Sequence, residues 1–159
     1  MIVAGVDPGT LKTGYGVVSR EGSRLRPLCY GVLAPRADLP LAVRLVEIHR
    51  GLLDLFSRYR PSAVAVEDIF YHKNARSALV LGHARGVALL AAAELGIPVH
   101  AYPPAQVKRA LIGSGRSSKA QIQEVLKAIL GFDELPPPDA SDAIAIAICH
   151  ANAAGCMRP

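Results

Sequence analysis

Ile2-Val3-Ala4-Gly5-Val6-Asp7-Pro8-Gly9-Thr10 decides how the rest of the chain is read. Five apolar residues, three of them β-branched, stop at an acid, a proline and a glycine. That is a short buried strand ended by a turn. Working outward, Gly14 to Val18 reads as a second strand. Arg24 to Leu33 reads as a third, joined to it by Glu21-Gly22-Ser23 as a hairpin turn. Ala63-Val64-Ala65-Val66-Glu67 repeats the first pattern, a short apolar run closed by an acid.

Between these runs the apolar spacing changes to three and four. Leu41, Leu45, Ile48, Leu52, Phe56 and Tyr59 form one helical stripe closed by Pro61, with Arg44, Glu47, Asp54 and Arg58 on the wetter side. Asn74 to Leu95 is a second helix, with Gly82 and Gly86 on one face. A helical glycine costs about 1 kcal/mol relative to alanine, so close approach by another helix or by DNA is the expected reason for the pair. Ile97 to Tyr102 is the last strand. Gln106 to Ile112 is a short helix, and a second starts after Ser117 and runs to Leu130, the two separated by Gly113-Ser114-Gly115. After Pro136-Pro137-Pro138, Asp139 to Ala153 is a nearly all-apolar final helix. The order β-β-β-α-β-α-β-α-α-α predicts an α/β fold, a five-stranded mixed sheet with helices on both faces. No linker or repeat divides residues 1–159, so one domain is expected.

The chain is 51% hydrophobic and 19% charged, which excludes a disordered polypeptide. Its net charge is +5, and the excess is local. From Ile69 to Lys119 there are seven basic residues and the single acid Glu94, a net +6. A concentrated basic region is either a solvated face or a phosphate-binding one. The three cysteines, Cys29, Cys149 and Cys156, have no paired spacing and read as reduced thiols. Met1 to Thr10 does not read as a signal peptide, and no uninterrupted apolar run approaches the roughly 18–20 residues of a membrane span. The expectation is a cytoplasmic protein with no membrane association.

Four of the thirteen acids stand apart. Asp7 and Glu67 each end a buried strand. If those strands are parallel neighbours, both carboxylates emerge at the carboxyl edge, where open α/β sheets place ligands. Asp139 and Asp142, three apart, share a face in the first turn of the last helix. Taken singly, each has an ordinary reading: a helix cap for either member of the pair, an Asx turn for Asp7, a strand-end charge for Glu67. Collected together they are costly unless a cation gathers them. Hard divalent ions take oxygen ligands, and Mg²⁺ is held by a few carboxylates plus substrate phosphate. Two such ions about 3.5–4 Å apart can activate a water and stabilise the leaving oxygen of a phosphodiester. The five histidines (His49, His72, His83, His100 and His150) lack zinc-ligand spacing.

Phe70 and Tyr71 follow Glu67 closely and precede Lys73, Asn74 and Arg76, a pairing suited to base stacking with phosphate contact. Core packing of Phe70 is the equal alternative. Lys108 and Lys119 bracket the glycine break, where backbone could approach phosphate or the lysines could lie on ordinary helix surfaces.

Asp7-Pro8-Gly9, Thr13-Gly14-Tyr15-Gly16, Glu67, Phe70, Lys73-Asn74 and Leu81-Gly82-His83-Ala84-Arg85-Gly86 occur in order with Gln106-Val107-Lys108, Gly113-Ser114-Gly115, Lys119 and Asp139-Ala140-Ser141-Asp142-Ala143. Together they resemble the RuvC family of crossover junction endodeoxyribonucleases over almost the whole chain. The resemblance implies an RNase H-like fold and a homodimer that binds a four-way (Holliday) DNA junction. It implies symmetric nicks in opposing strands, ligatable ends, and work in recombination and repair beside the RuvA–RuvB branch-migration complex. It makes Asp7, Glu67, Asp139 and Asp142 the catalytic and metal-binding acids, taking two Mg²⁺ with Mn²⁺ as a substitute. Phe70, Lys73, Arg76, Lys108, Arg116 and Lys119 become the DNA-contacting set, with Phe70 near the crossover and Lys108 and Lys119 at the scissile phosphate. The additional acid Asp68 and the short tail after Asn152 depart from the family pattern.

Three other readings compete. Val6-Asp7-Pro8-Gly9-Thr10 also resembles the first phosphate loop of actin-like ATPases, which require two such domains. A junction-binding module with a dead site would have lost an acid. The third is an RNase H-like nuclease acting on RNA, against which Phe70 and the lysine pair favour branched DNA through the resemblance alone.

Overall fold

The computed structural model describes residues 1–68, 75–113, 118–131 and 133–156. Its elements follow the expected order: β1 (Ile2–Asp7), β2 (Thr13–Glu21), β3 (Arg24–Leu33), α1 (Leu41–Tyr59), β4 (Ala63–Glu67), α2 (Ala75–Glu94), β5 (Val99–Tyr102), α3 (Pro104–Ile112), α4 (Lys119–Leu130) and α5 (Pro138–Cys156). The sheet order is β3-β2-β1-β4-β5. β1 and β4 run parallel, as do β4 and β5, whereas the β1–β2 and β2–β3 pairs are antiparallel. The mixed sheet is therefore the expected one.

Boundaries differ where local chemistry extends or trims an element. β2 continues past Val18 to Glu21 because β3 pairs with it to the hairpin, where Gly22 adopts φ 60. β5 starts two residues later than expected, at Val99. The proline at 104 occupies the start of α3, where a missing N–H costs nothing. Ser118 caps α4: its hydroxyl accepts from Gln121 N while the Gln121 side chain accepts from Ser118 N, a capping box. β3 is an edge strand broken by Pro27 and by a register shift opposite Val17/Val18, features that discourage further strand pairing.

Two cores flank the sheet. On one face α1 and α2 bury Ile48, Leu52, Phe56, Ala88, Ala91 and Ala92 against Ala4, Val6, Val17, Val64 and Val66. On the other, α3, α4 and α5 bury Val107, Ile122, Leu126 and Ile144–Cys149 against Val3, Val18, Ala65 and Tyr102. Helices thus cover both faces.

The α5 side depends on glycines. A Cβ at Gly5 would collide with the backbone of Ala143 and reach 2.7 Å from the Ala147 nitrogen. One at Gly16 would meet Ile144 at 2.5 Å, and one at Gly14 would overlap the Asp139 carbonyl. These three positions, bare on the same face, let α5 lie almost directly on the sheet.

α2 agrees with the absence of an uninterrupted apolar run, because His83 and Arg85 interrupt it. Arg76–Glu94 is long and apolar enough, by length and composition, to cross a membrane. In this fold its inner side carries Ala84, Ala88, Ala91 and Ala92, all buried, while Leu79 and Leu90 face outward at 67% and 52% exposure. Gly82 and Gly86 have no described atom within 4 Å of an added Cβ, so nothing described in this chain explains the pair.

Candidate functional site

Strand alternation orients the two strand-end acids. Side chains two apart share a face, so Val3, Gly5 and Asp7 point one way on β1, and Ala63, Ala65 and Glu67 do so on β4. Val3 and Ala65 lie in the α5-side core, and Gly5 lies under α5. Asp7 and Glu67 therefore both face α5. Pairing Val6 with Val66 makes them the next residues along adjacent parallel strands, which run roughly 4.8 Å apart. Each is half-buried.

α5 brings the second pair of acids. Gly14 pairs with Asp7 across β1–β2, and Asp139 sits directly over Gly14. Asp142 follows three residues on, hence on the same face, just before the Ala143 carbonyl that rests on Gly5. Asp139 and Asp142 are both half-buried. The helix begins at Pro138, which makes Asp139 its second residue rather than the one preceding it. Its carboxylate suits the positive end of the helix dipole. Ser141 closes the turn, donating its hydroxyl to the Pro136 carbonyl at 3.1 Å. All four sequence-selected acids thus reach one edge of the sheet on one face.

Among the described residues, no three His, Cys, Asp or Glu side chains already enclose a point that could hold a metal ion. The donor chemistry nevertheless fits a hard cation, because all four acids supply only oxygen.

The residues expected to touch DNA are only partly placed. Arg76 is exposed in the first turn of α2, and Lys108 is half-buried on α3. Phe70, Lys73 and Arg116 lie outside the described residues, as does His72. Lys119 begins α4.

Three features escaped the sequence. Asp68, the extra acid, lies 3.5 Å from Arg85 of α2, tying the end of β4 to that helix. Tyr102 pairs in register with Glu67 and faces α5, where its hydroxyl lies 2.7 Å from His150 Nδ1. The His150 ring is 4.4 Å from that of His100. Burial, reinforced by His100, holds the His150 imidazole below its ordinary value. The third feature is the glycine face under α5. Its only trace in the sequence is the period-two placement of Gly14 and Gly16.

The family model for crossover junction endodeoxyribonuclease RuvC matches residues 3–150. The chain is 51% identical over 153 residues to the RuvC of Desulforamulus reducens, covering 96% of this chain and 94% of that protein. It is 50% identical over 155 residues to the RuvC of Citrifermentans bemidjiense, covering 98% and 94%. The solved structure of T. thermophilus RuvC in complex with a Holliday junction substrate superposes with a TM-score of 0.93 at 41% identity, covering 98% of this chain and 96% of that one. The yeast mitochondrial Holliday junction resolvase Ydc2 shares the fold at a TM-score of 0.63 and 16% identity. This chain belongs to the RuvC family of crossover junction endodeoxyribonucleases.

Proposed function

We propose that residues 1–159 act as one RNase H-like nuclease unit that resolves four-way DNA junctions by paired phosphodiester cuts. The observation that carries this reading is the convergence of Asp7, Glu67, Asp139 and Asp142 on one edge of the sheet, through the Val6–Val66 parallel pairing and the seat of Asp139 on Gly14. Nucleases of this family are metal-dependent, and here the four carboxylates would hold two Mg²⁺, with Mn²⁺ as a substitute. When bound, the ions supply a nucleophilic water and stabilise the departing oxygen.

The chain's own groups do the rest. Asp7 and Glu67, side by side on rigid strands, fix the cation-binding edge. Asp142 and Asp139 close it from the helix above. Lys108 and Lys119 offset charge gathered at the scissile phosphate, while Lys73, Arg76 and Arg116 hold flanking phosphates and Phe70 stacks at the crossover. Two opposed cuts require two sites, which a homodimer supplies. The outward apolar stripe of α2, Leu79, Gly82, Gly86 and Leu90, supports that surface. Hand-over from a RuvA–RuvB branch-migration complex in the cytoplasm completes the reading.

The test is a labelled four-way junction incubated with Mg²⁺ and either the parent chain or Asp7→Asn. Symmetric nicks by the parent, with binding but no nicks by the variant, are expected. Binding without nicking by both would leave only a junction-binding module.

A further inference from the structure

The loop that leaves Asp7 is unusually well fixed for a surface turn. Thr13, fully buried, donates its hydroxyl to the Gly9 carbonyl at 2.7 Å and accepts from the Gly9 nitrogen at 3.3 Å. A Cβ on Gly9 would strike the Lys12 carbonyl, so the turn closes without room for a side chain there. Arg44 of α1 donates to the Thr10 carbonyl at 2.9 Å, and Thr10 itself is buried. Everything about this turn is tied down except its tip. Leu11 stands 52% exposed, with exposed Lys12 beside it.

Leu11 faces solvent on a pinned loop four residues from a site acid, and it does not stand alone. Across from it the first turns of α2 contribute Arg76, Val80 and Leu81, and the two walls bound a largely apolar groove of about 610 Å³. Val80 is 36% exposed there. The groove's lining is mostly apolar and includes two cationic residues, Lys12 and Arg76. Charge complementarity selects a polyanion with flat apolar parts, and the loop that carries Leu11 begins at Asp7, at the same end of β1 as that acid. Aliphatic side chains such as leucine are among the wedges that proteins insert between base steps to unstack them.

We propose that this groove seats a nucleotide displaced from the strand being cut, with Leu11 as the wedge beside its base and Lys12 against an adjoining phosphate. This inference rests on the nuclease reading above and adds a positioning and specificity-determining element to it. Base identity on either side of the scissile phosphate is then sensed by fit against Leu11, Val80 and Leu81. The rigidity of the turn serves that purpose, because a mobile wedge would follow the base instead of displacing it.

The experiment uses the full chain carrying Asp7→Asn, so that binding is observed without cutting. Four-way junctions carry 2-aminopurine at each nucleotide near the crossover, and its fluorescence rises where a base is unstacked. Asp7→Asn is expected to raise the signal at one nucleotide next to the cut. Adding Leu11→Ser should remove that rise at least about fivefold while junction affinity stays within about threefold, since one wedge contributes little of a phosphate-dominated affinity. Adding Lys12→Gln should lower the salt slope of binding by about one unit, one phosphate contact. In the otherwise unmodified chain, Leu11→Ser should slow cutting of a fully paired junction about tenfold and be rescued by an abasic nucleotide at the seat.

An unchanged fluorescence pattern in Leu11→Ser, or equal cutting rates, overturns the proposal while leaving the nuclease reading intact. If Leu11→Ser instead turns a dimer into monomers by sedimentation, a second copy covers the groove and the proposal falls. Failure of the parent to bind or nick any junction overturns both readings. An unchanged melting temperature in Leu11→Ser is the folding control, as expected for an exposed side chain.

Discussion

Gly14 lies directly beneath Asp139, so close that any side chain at 14 would overlap the Asp139 carbonyl. Because Gly14 is also the cross-strand partner of Asp7, this one contact sets how near the helix-borne acids come to the strand-borne ones. Replacing it by alanine should lift the start of α5. The expected result for Gly14→Ala is a loss of about 1–3 kcal/mol, as for other overpacked sites, with nicking reduced far more than junction binding. Denaturant unfolding and a cutting assay read the two effects. Full activity would show that α5 tolerates displacement and that its acids need no close seat.

The four acids should separate by their surroundings. Asp7→Asn, Glu67→Gln and Asp142→Asn are each expected to lower cutting by on the order of a thousandfold, because each removes a charged oxygen ligand that the proposed cations require. Asp139 is the discriminating case. As the second residue of α5 it contributes roughly 0.3–1 kcal/mol through the helix dipole. Asp139→Asn should therefore cost at most that much stability yet reduce cutting by about a hundredfold or more. A stability loss with near-normal cutting would make it a dipole partner only. Removing divalent ions with a chelator should abolish cutting by the parent, and Mg²⁺ should restore it.

The outward stripe of α2 predicts assembly. Leu79→Glu together with Leu90→Glu should yield monomers by sedimentation without lowering the unfolding midpoint of the single chain, because both side chains are exposed in it. Paired cuts should then become single, uncoordinated nicks. Retention of the dimer would place the contact elsewhere.

His150 predicts an acid-sensitive fold. Its imidazole is buried and lowered from 6.5, first by burial and then by His100. The unfolded chain therefore binds a proton more readily than the folded one. The contribution is complete above about pH 6.5 and is lost as pH falls through the depressed folded value. Protonation would also leave Nδ1 able only to donate toward the Tyr102 hydroxyl, 2.7 Å away. Melting temperatures between pH 7 and 5 should fall in the parent and fall less in His150→Gln. Parallel curves would rule out His150 as the responsible group.

Much of this molecule was legible before any tertiary contact was known. Ile2–Asp7 and Ala63–Glu67 are short apolar runs ended by acids, and such runs declare buried strands through local sterics and turn chemistry alone. Element order and the strand-end placement of Asp7 and Glu67 followed from that. Asp139 and Asp142 could be put on one helix face by spacing, but whether that face met the sheet could not. Only packing decided it, because Gly5, Gly14 and Gly16 matter through α5, more than a hundred residues later, and a missing side chain leaves no periodic signal of what fills its place. The same holds for Tyr102 with His150 and Asp68 with Arg85, pairs joined by sheet register and helix docking. Sequence pattern reports which residues want to leave water. It does not report which distant backbone will occupy the space beside them, and over Gly14 that backbone is the one that carries Asp139.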